Sequence, residues 1–227
     1  MTEQKGPTSR IEEYLESMVN MTAEGKPVLA ARLAERLGVA PATVSVTLQR
    51  MARDGLITVS KDKEISLTRK GNNAALTVLK RHRLAERLLV DILGVEWHEV
   101  HEEACLLEHA ISPKVEERLE QVLKHPAICP HGNPIPSNSK LPPARGVSLT
   151  SVSEGARITV VRITEEATRD HRLMEYLHDL GVVPGATFTV KQLAPYAGTI
   201  VLASDSREVT LSMATSEMIW VTTAQSA

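Results

Sequence analysis

The stretch VLAARLAERLGVAPATVSVTLQRMARDG, residues 28–55, decides the fold of the N-terminal part of the chain. Leu, Ala and Val recur at helical spacing up to Gly38, and glycine commonly ends a helix. A second helical pattern begins at Pro41, which is well tolerated at a first helical position, and runs to Gly55. Two short helices joined by a tight turn predict a helix-turn-helix.

The sequence on either side extends this motif. Residues 10–24 have the apolar spacing of a short amphipathic helix. After Gly55, the run LITVSKDKEISLT contains two strand-like segments around a polar tip, which predicts a β-hairpin. A helix-turn-helix followed by a hairpin is a winged helix-turn-helix, and we assign it to residues 1–74.

The rest of the chain divides into a helical part and a β-rich part. Helical patterns cover residues 69–92, 96–110 and 113–123, which predicts a helical domain over 75–137. A proline-rich linker is expected over 138–148. Five short strand-like runs and one helix near 168–180 then predict a small all-β SH3-like barrel over 149–227.

Composition limits the class of protein. The chain has 227 residues, 42% of them hydrophobic, and no apolar run approaches the ~20 residues that span a bilayer. Its first residues, MTEQKGPTSR, are polar and do not resemble a signal peptide. Cys105 and Cys129 alone do not make a disulfide framework, so we expect a cytoplasmic protein.

Charge is unevenly distributed along the chain. Residues 26–83 contain twelve Lys or Arg against four Asp or Glu, whereas residues 96–136 contain three against eight. The basic segment coincides with the predicted winged helix, which favours double-stranded DNA as the partner over a winged helix used only for protein contacts. Residues of the third helix would read the major groove, and basic residues would contact phosphates. The predicted DNA-binding residues are Arg32, Pro41, Ala42, Thr43, Ser45, Val46, Thr47, Arg50, Lys61 and Lys63.

Metal-binding residue types are concentrated in HEEACLLEH, residues 101–109. Residues three and four apart share a helix face, so Cys105, Glu108 and His109 project together, and Glu13 of the first helix could complete the group. A second group pairs His82 and Glu86, four apart, with His101. Thiolate, carboxylate and imidazole together are typical of a transition-metal site. A solvated acidic face with a buried cysteine is the alternative.

The chain resembles the diphtheria toxin repressor family of iron- and manganese-dependent transcriptional regulators. The resemblance covers nearly the whole chain and is densest in five segments: ARLAERL (31–37), ATVSVTLQRMARDGL (42–56), KRHRLAERLLVDILG (80–94), VHEEACLLEH (100–109) and HGNPIP (131–136). It implies a homodimer that binds a palindromic operator when loaded with Mn(II) or Fe(II), and represses metal-uptake genes. It also implies that the helical domain dimerises and binds metal, and that the C-terminal domain is FeoA-like.

The resemblance further implies two metal sites per subunit and an anion site. Thr168 occupies the position of a glutamine ligand in the iron regulators, and Asp170 or His171 could replace it. Cys129 stands where a serine is expected in the anion site. The implied residues are Glu13, Cys105, Glu108 and His109 for the primary site, His82, Glu86, His101 and Glu165 for the ancillary site, and Arg83 and Asn133 for the anion.

The chain departs from the family pattern in two respects. The iron regulators have methionine at position 13 with a cysteine at position 105, and the manganese regulators have two acidic residues there, whereas this chain combines Glu13 with Cys105. The ligands therefore do not choose between Mn(II) and Fe(II). Val46 stands where the iron regulators have a glutamine that reads bases, so the operator sequence is expected to differ.

Two other functions are compatible with some of these residues. One is a metal-independent DNA-binding protein with a structural metal site, and the other is a metal-dependent hydrolase. A hydrolase needs an open coordination position and a general base, and the sequence contains no recognisable catalytic motif, so we expect a protein that is not an enzyme.

Overall fold

The computed structural model describes residues 7–205 and 207–223. Within them the chain forms two compact units, which are described separately. The first unit contains the residues up to His82 together with Pro136–Pro142, and the second contains Arg83–Ile135 together with the residues from Pro143 onward. The domain limits given above remain a prediction.

The first unit is built on the expected helix-turn-helix. Helix α1 spans Ser9–Ala23, α2 spans Ala30–Leu37 and α3 spans Pro41–Arg53. Gly38 ends α2 in the left-handed conformation, with φ of 63°, and so allows the tight turn into α3. Strands β1 (Ile57–Val59) and β2 (Ile65–Leu67) then pair antiparallel to form the wing.

A single apolar core holds the first unit together. It takes one face from each of α1, α2 and α3, and adds the start of each wing strand. Tyr14, Leu33, Val44 and Met51 are almost fully inaccessible to solvent. The opposite face of α3 contributes nothing to this core and is therefore available for binding.

Helix α4 spans Arg69–Asp91, and two shorter helices follow it, α5 (Val100–Glu108) and α6 (Pro113–Val122). In the second unit, Leu89, Val100, Ile111 and Leu119 are buried together in a small core. The Ser112 hydroxyl accepts a hydrogen bond from the Val115 backbone N–H and thereby caps α6.

The C-terminal part of the second unit is an antiparallel sheet. Within the described residues its six strands run in the order β3-β8-β4-β5-β6-β7. Buried and exposed side chains alternate along β5 to β7, as a sheet with one solvated face requires. The strands are β3 (Val147–Ser148), β4 (Arg157–Ile163), β5 (Thr187–Ala194), β6 (Thr199–Ala203), β7 (Glu208–Ser212) and β8 (Ile219–Thr223); helix α7 (His171–Asp179) lies between β4 and β5, and α8 (Met213–Glu217) between β7 and β8.

Strand β4 carries an irregularity that matters for the site. Its pairing with β8 changes register between Val160 and Arg162. Beyond this bulge, Arg162 and Ile163 are both buried, although they are consecutive. The Arg162 side chain donates a hydrogen bond to Asn133 Oδ1, and its guanidinium lies 4.8 Å from the centre of the Trp220 ring.

The expected fold class is confirmed: a helical N-terminal part with a winged helix-turn-helix precedes a small all-β domain. Three details differ from the sequence-based expectation. Strand β3 and helix α8 were not expected. Helix α5 begins at Val100 rather than near Glu96, because Trp97 packs against the core of the β domain and donates a hydrogen bond to the Pro130 carbonyl.

Candidate functional site

The predicted DNA-reading residues lie on α3. Pro41, Ala42, Ser45, Val46 and Arg50 are exposed, and the Val46 side chain is 68% accessible although it is apolar. Thr43 and Thr47 are partly buried, and the Thr47 hydroxyl donates a hydrogen bond to the Thr43 carbonyl. An exposed face of small and hydroxyl-bearing groups can approach base edges and thymine methyl groups closely.

The predicted phosphate-contacting residues are also exposed. Lys61 and Lys63 lie at the tip of the wing, where Lys63 adopts a positive φ of 62°. Arg32 is exposed on α2. Arg50 on α3 is within 3.7 Å of the Asp54 carboxylate, an exposed pair that solvent screens.

Three of the predicted ancillary ligands converge in the second unit. Glu86 from α4, His101 from α5 and Glu165, two residues after β4, are all buried. His101 Nδ1 lies 3.8 Å from a Glu86 carboxylate oxygen and 3.7 Å from a Glu165 carboxylate oxygen. These separations exceed an ordinary hydrogen bond and approach the ~3.3 Å between two ligands of one transition-metal ion. The donor set fits a divalent metal.

Two further residues considered above, His82 and Thr168, are also buried. His82 is fully buried and precedes Glu86 by one turn of α4, so the two side chains share a helix face. The Thr168 hydroxyl lies 3.4 Å from His101 Nδ1 and also donates a hydrogen bond to the Glu165 carbonyl. Asp170, considered above as a substitute ligand, instead accepts a hydrogen bond from the Leu173 backbone N–H and caps α7.

His131 belongs to the same cluster, although the sequence did not predict it as a site residue. Its Nδ1 lies 3.0 Å from Glu86 Oε1, and its Nε2 lies 3.0 Å from the Trp97 carbonyl oxygen. Burial lowers the pKa of His131, but the Glu86 carboxylate and hydrogen bonds to Cys129 and Glu86 outweigh burial and raise it to about 10. Burial, followed by the charge of Glu86, raises the pKa of the Cys129 thiol.

Arg83 and Asn133, predicted to bind an anion, contact protein groups. The Arg83 guanidinium lies 3.0 Å from Glu165 Oε2 and donates to the Pro134 carbonyl. Asn133 donates to the Ile163 carbonyl and accepts from Arg162. Arg83 therefore compensates part of the carboxylate charge beside His101, and the anion role remains a prediction.

The predicted primary ligands of α5 lie at the end of that helix. Glu108 is 1% accessible and lies 3.3 Å from His109 Nε2. Cys105 is partly buried, with its sulfur 3.7 Å from His101 Nε2. Thiol and carboxylate thus lie in the last turn of α5, and the imidazole follows at its C-cap. The fourth predicted ligand, Glu13, is exposed on α1.

Three family models match the chain in succession. The N-terminal DNA-binding domain of iron-dependent repressors matches residues 8–65, and their metal-binding and dimerisation domain matches residues 68–137. The FeoA domain matches residues 147–223. Together these models cover most of the sequence.

Similar proteins are repressors. The iron-dependent repressor IdeR of Mycobacterium tuberculosis is 43% identical over 210 residues, which cover 88% of this chain and 91% of that protein. The diphtheria toxin repressor of Corynebacterium glutamicum is 40% identical over 182 residues, 77% of this chain and 80% of that one. A solved manganese-dependent transcriptional repressor in complex with manganese is 32% identical, with a TM-score of 0.84, 94% of this chain covered and 100% of the other. This chain therefore belongs to the iron-dependent repressor family of metal-dependent transcriptional repressors.

Proposed function

We propose that this protein is a Mn(II)- or Fe(II)-activated repressor of metal-uptake genes, acting in the cytoplasm as a homodimer on a palindromic operator. The observation that carries the proposal is the buried group of Glu86, His101 and Glu165 in a chain of this family. Burying two carboxylates beside an imidazole is costly unless cations compensate them. Arg83 and His131 compensate part of this charge, and a divalent ion would provide further compensation.

Two metal sites per subunit are proposed. The ancillary site would use His82, Glu86, His101 and Glu165. Support comes from their burial and from the distances among the three that lie in one unit. The primary site would use Cys105, Glu108 and His109 of α5 together with Glu13, whose inclusion rests on the family resemblance alone.

The two candidate ions prefer different ligands among the proposed primary residues. The Glu13 carboxylate suits Mn(II), whereas the Cys105 thiolate suits softer ions such as Fe(II). A given set of nitrogen, oxygen or sulfur ligands generally binds Mn(II) more weakly than Fe(II), so cellular availability contributes to the choice. We therefore propose that both ions activate the protein.

Regulation would follow from thermodynamic linkage. The conformation that binds DNA must hold the ion more tightly than the other conformation, since an ion with equal affinity for both shifts nothing. Couplings between binding sites are typically about 1–3 kcal/mol, which corresponds to a change of roughly 5- to 150-fold in affinity. An effect of this size is measurable in a DNA-binding assay.

DNA recognition would use the exposed face of α3, with the wing and Arg32 on phosphates. Thr43, Ser45, Val46 and Thr47 would face the bases. A twofold dimer presents two such helices and therefore matches a pseudo-palindromic operator. The exposed apolar side chains Leu106, Val115 and Val122 on α5 and α6 are the proposed dimer contacts.

The test is selection of genomic DNA fragments by the purified protein under anaerobic conditions. Three parallel selections contain Mn(II), Fe(II) or a chelator. Fragments retained with a metal and lost with chelator would identify the operator and rank the two metals. Equal retention in all three would mean that the ligands are structural and that DNA binding does not depend on metal.

A pair of variants makes the test specific to the primary site. Glu108→Gln removes a buried charged oxygen while keeping the side-chain volume, and Glu117→Gln makes the same change at an exposed position of α6. The first variant should lose metal-dependent retention, and the second should behave like the wild type. Normal retention by Glu108→Gln would show that the primary site is wrongly assigned.

A further inference from the structure

A second group of metal-binding side chains lies away from the buried cluster, within the second unit. The turn before α5 contributes Glu96, His98 and Glu99, and helix α7 contributes His171 and His178. The family resemblance assigns a ligand role to none of them except His171, considered only as a replacement for an ancillary ligand. Three imidazoles and two carboxylates at one place require an explanation.

Helix geometry places the two α7 histidines on the same side. His171 and His178 are seven residues apart, which is close to two turns, so both project from one face. His98 lies between them. Its ring centre is 5.9 Å from that of His171 and 4.8 Å from that of His178.

The donor atoms form two overlapping groups that share His98. One group is Glu96, His98 and His178, and the other is His98, Glu99 and His171. In each group, one ligand atom per residue lies within 4.8 Å of the others. Ligands of a tetrahedral Zn(II) site are about 3.4 Å apart, so small rotations of exposed side chains would close either group around an ion.

His98 is held in place before any ion binds. The neighbouring Trp97 packs against the core of the β domain, donates a hydrogen bond to the Pro130 carbonyl and stacks on His178 with ring centres 6.4 Å apart. The His98 side chain is only 14% accessible. Among the described residues, its Nδ1 atom is buried without a hydrogen-bond partner. A buried ring nitrogen in this state is costly unless it gains a ligand.

We propose that this cluster, which we call the His98 site, is a third metal site that binds Zn(II) or a similar borderline divalent ion through His98, an α7 histidine and a carboxylate. Imidazole and carboxylate together suit such ions, and a site with three protein ligands leaves a position for water. The ion would fasten the turn before α5 to helix α7. The proposal does not depend on the two sites named above.

The competing explanation is that the three imidazoles only pack against one another. Tilted and edge-to-face rings at these distances are favourable by themselves. Packing predicts no bound ion, whereas the proposed site predicts one that depends on the α7 histidines. Metal stoichiometry therefore separates the two explanations.

The experiment is equilibrium dialysis of the full-length, metal-stripped protein against Zn(II), with bound zinc counted per chain by mass spectrometry. The variant is His171→Gln/His178→Gln, which changes two exposed side chains. The control is His125→Asn, an exposed histidine outside the cluster at a positive φ of 53° that asparagine tolerates. Thermal melts would verify that all three proteins are folded.

The wild type and His125→Asn should each bind one zinc ion more than the double variant at the same free concentration. The single variants His171→Gln and His178→Gln would then show which of the two groups holds the ion. Equal binding by the wild type and the double variant would overturn the proposal. The buried cluster of Glu86, His101 and Glu165 contains neither α7 histidine, and His171 lies with His98 and Glu99 instead. The difference in bound zinc therefore reports on the His98 site and not on the ancillary site.

Discussion

His131 Nδ1 lies 3.0 Å from Glu86 Oε1, so a carboxylate predicted to bind metal is already paired with an imidazole. The Trp97 carbonyl lies 3.0 Å from the other ring nitrogen. Both nitrogens therefore have acceptors, which suits a protonated ring. In the absence of metal, the positive charge of His131 would stabilise the buried Glu86 charge.

The raised pKa of His131 gives a pH dependence with a definite sign. The folded protein holds this proton more tightly, because its pKa is raised to about 10 from the ordinary histidine value of 6.5. The resulting stabilisation is complete below pH 6.5 and is lost as the pH rises through 10. In the presence of chelator, the wild type should have a higher free energy of unfolding than His131→Gln, and this difference should be largest near pH 6. Denaturant titrations at pH 6, 8 and 9.5 would measure this, and a pH-independent difference would contradict it.

Gly132 is expected to tolerate no side chain. It has φ of 83°, and a Cβ there would overlap the Val161 carbonyl oxygen. Gly132→Ala should therefore lower the free energy of unfolding by about 1–3 kcal/mol, the usual range for overpacking. Gly155→Ala is the matched control, since it shares a positive φ and has open space around the Cβ position. Similar losses in both variants would mean that backbone conformation, and not the Val161 contact, sets the cost.

Lys61 should contribute affinity for DNA without contributing specificity. It is exposed at the wing tip, where a phosphate contact carries no base information. Lys61→Ala should weaken binding to the selected operator and to unrelated DNA by similar factors, and should reduce the slope of log K against log salt by about 1. Fluorescence anisotropy over a salt series measures both quantities. Lys114→Ala, on α6, should leave the slope unchanged.

Leu106, Val115 and Val122 expose apolar area that a dimer would cover. Their side chains are 75%, 47% and 61% accessible, whereas Ile111 and Leu119 of the same region are buried within the subunit. Val115→Asp/Val122→Asp should raise the dimer dissociation constant at least tenfold in analytical ultracentrifugation, because it would bury charge. Tyr196→Asp changes an 88% exposed residue and should have no effect. A double variant as dimeric as the wild type would place the interface elsewhere.

The elements with strong local periodicity could be predicted from the sequence. Helices α1 to α4 begin and end within about two residues of their expected limits, and strands β4 to β8 correspond to the five expected strand-like runs. The start of α5 could not be predicted, because Trp97 is held by the β domain and by Pro130, contacts that lie far along the chain. Strand β3 has two residues and shows no alternation to detect.

The residues of the candidate site also fall into those that the sequence could predict and those that it could not. Glu86 and His101 could be identified because helical spacing and family motifs point to them. His131 could not, since its importance comes from a carboxylate 45 positions earlier in a different element. Two signals were available: His131 begins the HGNPIP segment of the family resemblance, and it lies two residues after Cys129, a spacing that also occurs by chance.

The bulge in β4 lies between a part of the strand that packs in the core and a part that forms hydrogen bonds near the candidate site. Before it, Ile158 and Val160 fill the core of the β domain. After it, the Ile163 backbone N–H donates to the His131 carbonyl, and its own carbonyl accepts from Asn133. Glu165 follows two residues later. Substitutions at Ile158 or Val160 would therefore change the packing of the β domain without altering the backbone hydrogen bonds that lead to Glu165, whereas Ile163 belongs both to the core and to that hydrogen-bonded segment.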